Sequence, residues 1–172
     1  MPKDDYVYRR SSGDDAQGVF DIVSASVRHL APHPYSQEVV DSWMAGRTPE
    51  NYVSDCAGQT IWIAELYGRP VGFSQGVPGE VKRLFVDADH AAHGLGRALF
   101  IRALADACPN GGGRVFIEAT PNAVPFYEKW GFRKTGQGVF AGRAAHLPVI
   151  DVVYLEAQIE AVAPSDETGD FP

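Results

Sequence analysis

One segment constrains this chain more than any other: a strand that breaks into a glycine-bearing turn and restarts at once as a helix. Leu84-Phe85-Val86 ends a β-branched and aromatic run, a short polar loop follows, and Gly94-Leu95-Gly96 opens an Ala- and Leu-rich apolar helix reaching about Cys108. A helix that starts this way presents a row of backbone N–H groups with no intrahelical acceptor, at the positive end of its dipole, where phosphate oxygens bind well. Two glycines let an anion approach the backbone with no Cβ in the way. The segment therefore predicts a site for a phosphorylated ligand.

Exclusion narrows that ligand. No Gly-x-x-x-x-Gly-Lys-[Ser/Thr] run exists in the chain, which removes the nucleotide-hydrolysing P-loop. The dinucleotide fingerprint needs a small residue at position 99, which is Leu99, and belongs at the first strand of a parallel alternating domain rather than mid-chain. Another diphosphate carrier remains, with coenzyme A the leading candidate.

A second segment supports it. Val115-Phe116-Ile117-Glu118-Ala119 reads as a short buried strand, followed by a stretch from Thr120 to Phe132. Asn122 is the expected N-cap, Pro125 falls in the first helical turn, and Gly131 stands where a helix end favours a left-handed residue. The short helix so defined carries Phe126, Tyr127 and Trp130.

Together the two segments resemble the GCN5-related N-acetyltransferase (GNAT) family, closely from about residue 71 to 154 and more loosely over the whole chain. The family's acetyl-CoA signature, [Arg/Gln]-x-x-Gly-x-[Gly/Ala] after a Leu-[Tyr/Phe]-Val strand, is matched by Ala91-Ala92-His93-Gly94-Leu95-Gly96 after Leu84-Phe85-Val86. The usual Arg or Gln is replaced by Ala91; Arg97, in the first helical turn, is placed to restore positive charge. The later signature is matched by Asn122, Phe126, Tyr127, Gly131 and Phe132, with one residue fewer in its first gap. His33-Pro34-Tyr35-Ser36, followed by Trp43-Met44-Ala45-Gly46-Arg47, is similar to a bacterial subgroup of the family whose substrates are mostly unassigned.

The resemblance implies a single α/β (α+β) domain over residues 1–160, with a mixed, mostly antiparallel sheet of six to seven strands and helices on both faces. The periodicity agrees. Strands are expected at 6–9, 60–66, 70–75, 80–86, 115–119, 134–140 and 149–155, with a tight hairpin at Tyr67-Gly68-Arg69. Helices are expected after a cap at Asp14 or Asp15, through apolar positions up to Leu30, and again from about residue 36 to 45. Residues 161–172, rich in Pro, Gly and acid, read as a disordered tail.

Charge and cysteine count bound the function. A net charge of −7 argues against a nucleic-acid partner and mildly favours a cationic acceptor. No apolar run approaches the roughly 18 residues of a membrane span, no signal peptide precedes the first strand, and two cysteines cannot make a disulfide scaffold, so a cytoplasmic location is expected. Homodimer formation is left open. His29 and His33 are four apart but separated by Pro32, and no carboxylate or cysteine cluster completes a ligand set, so no metal is expected.

The chemistry of amine acetylation asks for three things: loss of a proton from the amine, a donor for the oxyanion, and a proton for the departing thiolate. The resemblance assigns the last to Tyr127. It also implies that the backbone N–H near Val86 polarises the thioester carbonyl, that this strand edge pairs with the pantetheine arm, and that Asn122 contacts the cofactor or shapes the bend. Glu80 is the candidate base, with Glu118 or bound water as alternatives; Glu118 is equally readable as an ion-pair partner of Arg83 or Arg114. Strand alternation puts Glu80, Lys82, Leu84 and Val86 on one face. His33, Tyr35, Trp43, Tyr52, Phe73 and Glu118 are the candidate acceptor-binding residues. The expected activity is acetyl transfer from acetyl-CoA to a primary amine of a small molecule or peptide, directly in a ternary complex. A non-catalytic acyl-CoA-binding sensor or interaction module is the alternative.

Overall fold

Ile61 and Ile63 point to one side of their strand, Trp62 and Ala64 to the other, and both sides are apolar, so this strand must lie inside a sheet covered on both faces. The computed structural model, which describes residues 5–30, 36–91, 93–140 and 149–160, builds that sheet from seven strands. These are β1 (Val7–Arg10), β2 (Ile61–Leu66), β3 (Arg69–Val77), β4 (Glu80–Val86), β5 (Gly113–Ala119), β6 (Arg133–Phe140) and β7 (Ile150–Ile159), in the order β1-β2-β3-β4-β5-β7-β6. All neighbours are antiparallel except β4 and β5. The β2–β3 hairpin turns through Tyr67 and Gly68, at φ 52° and 77°, the left-handed pair that suits the twist of the flanking strands.

Helices α1 (Ala16–Leu30), α2 (Gln37–Met44) and α3 (Val53–Ala57) cover one face, where Val19, Val23 and Val27 meet Ile61, Ile63 and Phe73. Helices α4 (Leu95–Ala107) and α5 (Val124–Glu128) cover the other. The α4 contact is unusually close because β3 offers it small residues. Ser74 Oγ donates to the Leu99 carbonyl at 2.8 Å, and a Cβ on Gly76 would come within 1.9 Å of the Ala103 carbonyl oxygen. That bed sets where α4 lies, and with it the glycine turn at its start.

Four expectations are corrected. The cap before α1 is Ser12, which opens a single 3-10 turn (Gly13–Asp15); Asp15 instead reaches back to accept from the Ser12 N–H at 2.7 Å, completing a capping box. A 3-10 turn (Pro49–Tyr52) and α3 lie where no helix was expected, because five residues are too few to show a helical period. Asn122 is not an N-cap: Thr120 is, with Pro121 as the first residue of a 3-10 turn leading into α5. Finally, Gly76 pairs with Val81 and Gln75 with Arg83, so Lys82 is a bulge. The extra residue breaks the alternation and moves Val81 to the α4 face beside Leu84 and Val86.

Candidate active site

The sheet comes apart in one place. β4 and β5 pair only at Glu80 and Phe116, where the Phe116 N–H donates to the Gly79 carbonyl at 2.9 Å. Beyond the Lys82 bulge the two strands diverge. The Asp87 N–H bonds back to Val71 on β3 at 2.8 Å, and groups along a strand alternate in direction. The N–H groups of Leu84 and Val86 therefore point away from β3, toward the side that β5 has left. Such an edge can accept an extended chain of amides as an added strand.

A cleft of about 260 Å³ fills the gap. Leu84 and Phe85 of β4 line one wall, Ile117, Glu118 and Ala119 of β5 the other, and Trp43 and Arg47 from α2 and the turn after it overhang it with Ile150 of β7. Tyr127 closes the cleft from the α5 side. Phe100, Phe126 and Phe132 pack edge-on or tilted around its ring and lock its position. Its hydroxyl makes no hydrogen bond with any described residue, yet it is not sealed in, so it opens on the cleft. Burial pushes the phenol well above its usual range, so it stays protonated at any physiological pH.

At the far end of β4, α4 is capped by Gly94, whose φ of 79° favours glycine, and its first helical bond is Ala98 N–H to the Gly94 carbonyl at 3.1 Å. The N–H groups of Leu95, Gly96 and Arg97 are left without helical acceptors. A Cβ at Gly96 would meet only ordinary contacts, 3.9 Å to Phe126 and 4.0 Å to Val86. The protein's own packing thus makes no demand for glycine at 96, whereas a ligand lying against the backbone would. Strand edge and helix start together fit a molecule with an amide-bearing arm and a diphosphate, which is coenzyme A.

The residues singled out from sequence are distributed unevenly around this cleft. Leu84, Phe85, Tyr127, Trp43 and Glu118 line it, and Val86 and Gly96 are half-buried beside it. Leu95 is a core residue under the turn; Ala91, His93 and Gly94 are exposed on it, and exposed Arg97 lies 5.9 Å over the Trp130 ring. Asn122 sits in the turn before α5, its Oδ1 accepting from Thr120 Oγ1 at 2.5 Å. Glu80 stands at the foot of the split, outside the cleft lining, its carboxylate without an ion pair or hydrogen bond to a described residue. Tyr52 and Phe73 are wholly buried in the core beneath the cleft. Ala92, His33 and Tyr35 lie outside the described residues, as does the 161–172 tail.

Glu118 has neither expected partner. Arg83 is held by Asp55 and Gln75, both at 2.8 Å, and Arg114 pairs with Glu156. Burial pushes the Asp55 carboxyl up, but the bond and charge of Arg83 outweigh it and leave the group below its usual range. Sequence reasoning passed over Arg47, Lys82, Arg83 and Thr120, which all line the cleft. The Lys82 bulge was the missing signal, since unbroken alternation does not bring Lys82 and Arg83 into one wall.

The family model described as "Acetyltransferase (GNAT) domain" matches residues 31–149 of this chain. The chain belongs to the GNAT acetyltransferase family. As a GNAT enzyme it is an acetyl-CoA-dependent N-acetyltransferase, with acetyl-CoA as its co-substrate. It is 25% identical over 123 residues to the uncharacterized N-acetyltransferase YafP of Escherichia coli strain K12, covering 72% of this chain and 78% of that protein. A crystal structure of a GCN5-related N-acetyltransferase from Rhodopseudomonas palustris superposes with a TM-score of 0.82 at 23% identity, over 92% of this chain and 99% of that one. The structure of yncA from Salmonella typhimurium, solved with its cofactor acetyl-CoA, gives a TM-score of 0.67 at 17% identity, over 95% and 99%. No helix among the described residues of this GNAT chain is long and apolar enough to cross a membrane.

Proposed function

We propose that this GNAT enzyme acetylates a primary amine of a small molecule or peptide, directly, in a ternary complex. The observation that carries the reading is the parting of β4 and β5, with a protonated Tyr127 hydroxyl, not hydrogen-bonded to any described residue, at the resulting cleft. Acetyl-CoA supplies the acyl thioester, and every other requirement falls to the chain. The Leu84 and Val86 edge orients the arm and offers N–H donors to a developing oxyanion. The unpaired amides of Leu95, Gly96 and Arg97 hold the diphosphate. Tyr127 keeps a proton at its hydroxyl for the leaving sulfur as the new carbon–nitrogen bond forms.

Proton removal from the amine falls to Glu118, the one carboxylate among the described residues of the lining, directly or through water; Glu80 remains the candidate for a longer relay from the foot of the split. Direct transfer is supported by what the described residues of the cleft lack. Neither cysteine is part of its lining, both being buried elsewhere, and the hydroxyl of Thr120 is engaged with Asn122. Two free, buried thiols also suit a reducing compartment, and we place the enzyme in the cytoplasm.

The test is acetyl-CoA-dependent thiol release over a panel of primary amines, with Tyr127→Phe beside the parent enzyme. Phe keeps the ring packing and removes only the unbonded hydroxyl, so melting temperature should hold while kcat falls about 100-fold. An undiminished kcat removes Tyr127 from the chemistry. Calorimetric binding of acetyl-CoA with no release for any amine would instead favour a binding module.

A further inference from the structure

We infer that the acceptor carries an anionic group near its amine, a carboxylate or its equivalent, held by Arg47 and Lys82; this rests on the amine-transfer reading above. The protein carries a net charge of −7, yet among the described residues the cleft is lined by Arg47, Lys82 and Arg83 against the single carboxylate of Glu118. The cations are not equivalent. Arg83 is answered by Asp55 at 2.8 Å. Arg47 spends its donors on neutral acceptors, Nε on the Trp43 carbonyl at 2.8 Å and Nη1 on the Tyr52 hydroxyl at 3.4 Å. These bonds fix the guanidinium in place, and no described residue forms an ion pair with it. Lys82, exposed on its bulge, forms no close ion pair with a described residue; its charge reaches Asp55, but that carboxylate is hydrogen-bonded to Arg83.

Neither cation is placed to serve the diphosphate. Lys82 and Val86 are four strand residues apart, about 13 Å, and the α4 start lies beyond Val86. Arg47 follows α2, on the opposite face of the sheet from α4. A cationic wall repels an ammonium group and lowers its pKa, which suits an amine that must lose its proton but works against binding a simple cationic amine. An acceptor with its own carboxylate resolves the conflict: the acid meets Arg47 and Lys82, and the amine, beside Glu118, loses its proton readily. The local charge thus reverses the expectation of a cationic acceptor drawn from the whole chain.

Matched acceptors test this. L-phenylalanine against L-phenylalaninamide, L-methionine against L-methioninamide and β-alanine against β-alaninamide differ only in whether the carboxylate is present. The amides are the less basic amines, so intrinsic reactivity favours them at neutral pH. We expect the acids to show at least tenfold higher kcat/KM in at least one pair, through a lower KM. Lys82→Gln, an exposed substitution that does not threaten folding, and Arg47→Gln should each collapse that ratio toward one while leaving the KM for acetyl-CoA in place. Equal turnover of acids and amides, or amide preference, overturns the inference and leaves amine transfer standing. Absence of thiol release for every acid and amide, with acetyl-CoA binding intact, overturns the transfer reading and this inference with it.

Discussion

Gly76→Ala probes the contact that sets the position of the glycine turn proposed to hold the diphosphate. The added Cβ would stand 1.9 Å from the Ala103 carbonyl oxygen and 2.8 Å from its carbon, where real Cβ atoms keep at least 3.0 Å. Both obstacles are main chain, so no rotamer change relieves them. Either α4 retreats from β3 by roughly 1.1 Å or β3 deforms by as much. A retreat of that size stretches the Ser74–Leu99 hydrogen bond well past 3.5 Å and loosens Leu99, Phe100 and Ala103, all fully buried. Overpacking of about 2 kcal/mol and a lost buried hydrogen bond of about 1 kcal/mol give a cost near 3 kcal/mol. For a chain of this size that is a fall in Tm of about 6–12 °C. Because α4 carries Gly94–Arg97 with it, the Kd for acetyl-CoA should rise several-fold in the folded variant. Thermal unfolding by circular dichroism and titration calorimetry read the two effects. Gly68→Ala is the control, since its Cβ would meet nothing within 4 Å and its cost, about 1 kcal/mol, is left-handed strain alone. A Gly76→Ala protein melting within 2 °C of the parent would refute the argument that this contact fixes α4.

Three further outcomes are expected. The hydrogen bond from Arg9 holds the Asp15 carboxyl below its ordinary value of 3.8, against the upward push of burial. That stabilisation is complete above 3.8 and is lost as pH falls through the folded-state value. Asp15→Asn should therefore cost about 1–2 kcal/mol at neutral pH and flatten the acid limb of the stability curve, and an unchanged limb in denaturant titrations from pH 7 to 2 would count against it. Ala91→Arg, on an exposed turn position, should tighten acetyl-CoA binding in calorimetry; equal or weaker affinity would show that the turn is not used as described. Cys56 is fully buried and its thiol is pushed up to about 11, chiefly by burial, so iodoacetamide at pH 8 should label it only after denaturation; rapid labelling of the native enzyme would contradict the packing around it.

The parts legible from sequence were those encoded locally. β4 was readable end to end, and the glycine turn and α4 nearly so, because a strand, a glycine pair and a helical period lie in one continuous stretch. What escaped depended on partners distant in sequence. The Lys82 bulge arises in the pairing of β4 with β3, and Gly76, at the same irregularity, faces a helix carbonyl 27 positions on. With that bulge unseen, Lys82 was placed on the Leu84 face, and the basic wall it forms with Arg47 went unnoticed. Tyr52 and Phe73 show how burial escapes a sequence reading: the structure places both in the core, outside the cleft lining, although the Tyr52 hydroxyl accepts from Arg47. Asn122 had the right residue type for a cap, but Thr120 followed by Pro121 was the stronger pair of signals.

The parting of β4 from β5 also bears on the rigidity of the enzyme. With so little backbone pairing across the split, the strands on either side are joined mainly by side chains and by α4, and the N–H groups of Leu84 and Val86 are left for solvent. In the proposed mode, a bound amide-bearing arm would be, mechanically, the strand that the polypeptide omits. Loading acetyl-CoA should therefore slow hydrogen exchange at these two amides before any acceptor arrives, and the finished sheet would then form the floor on which the second substrate lands. Donor first, acceptor second would be a kinetic order written into the gap itself.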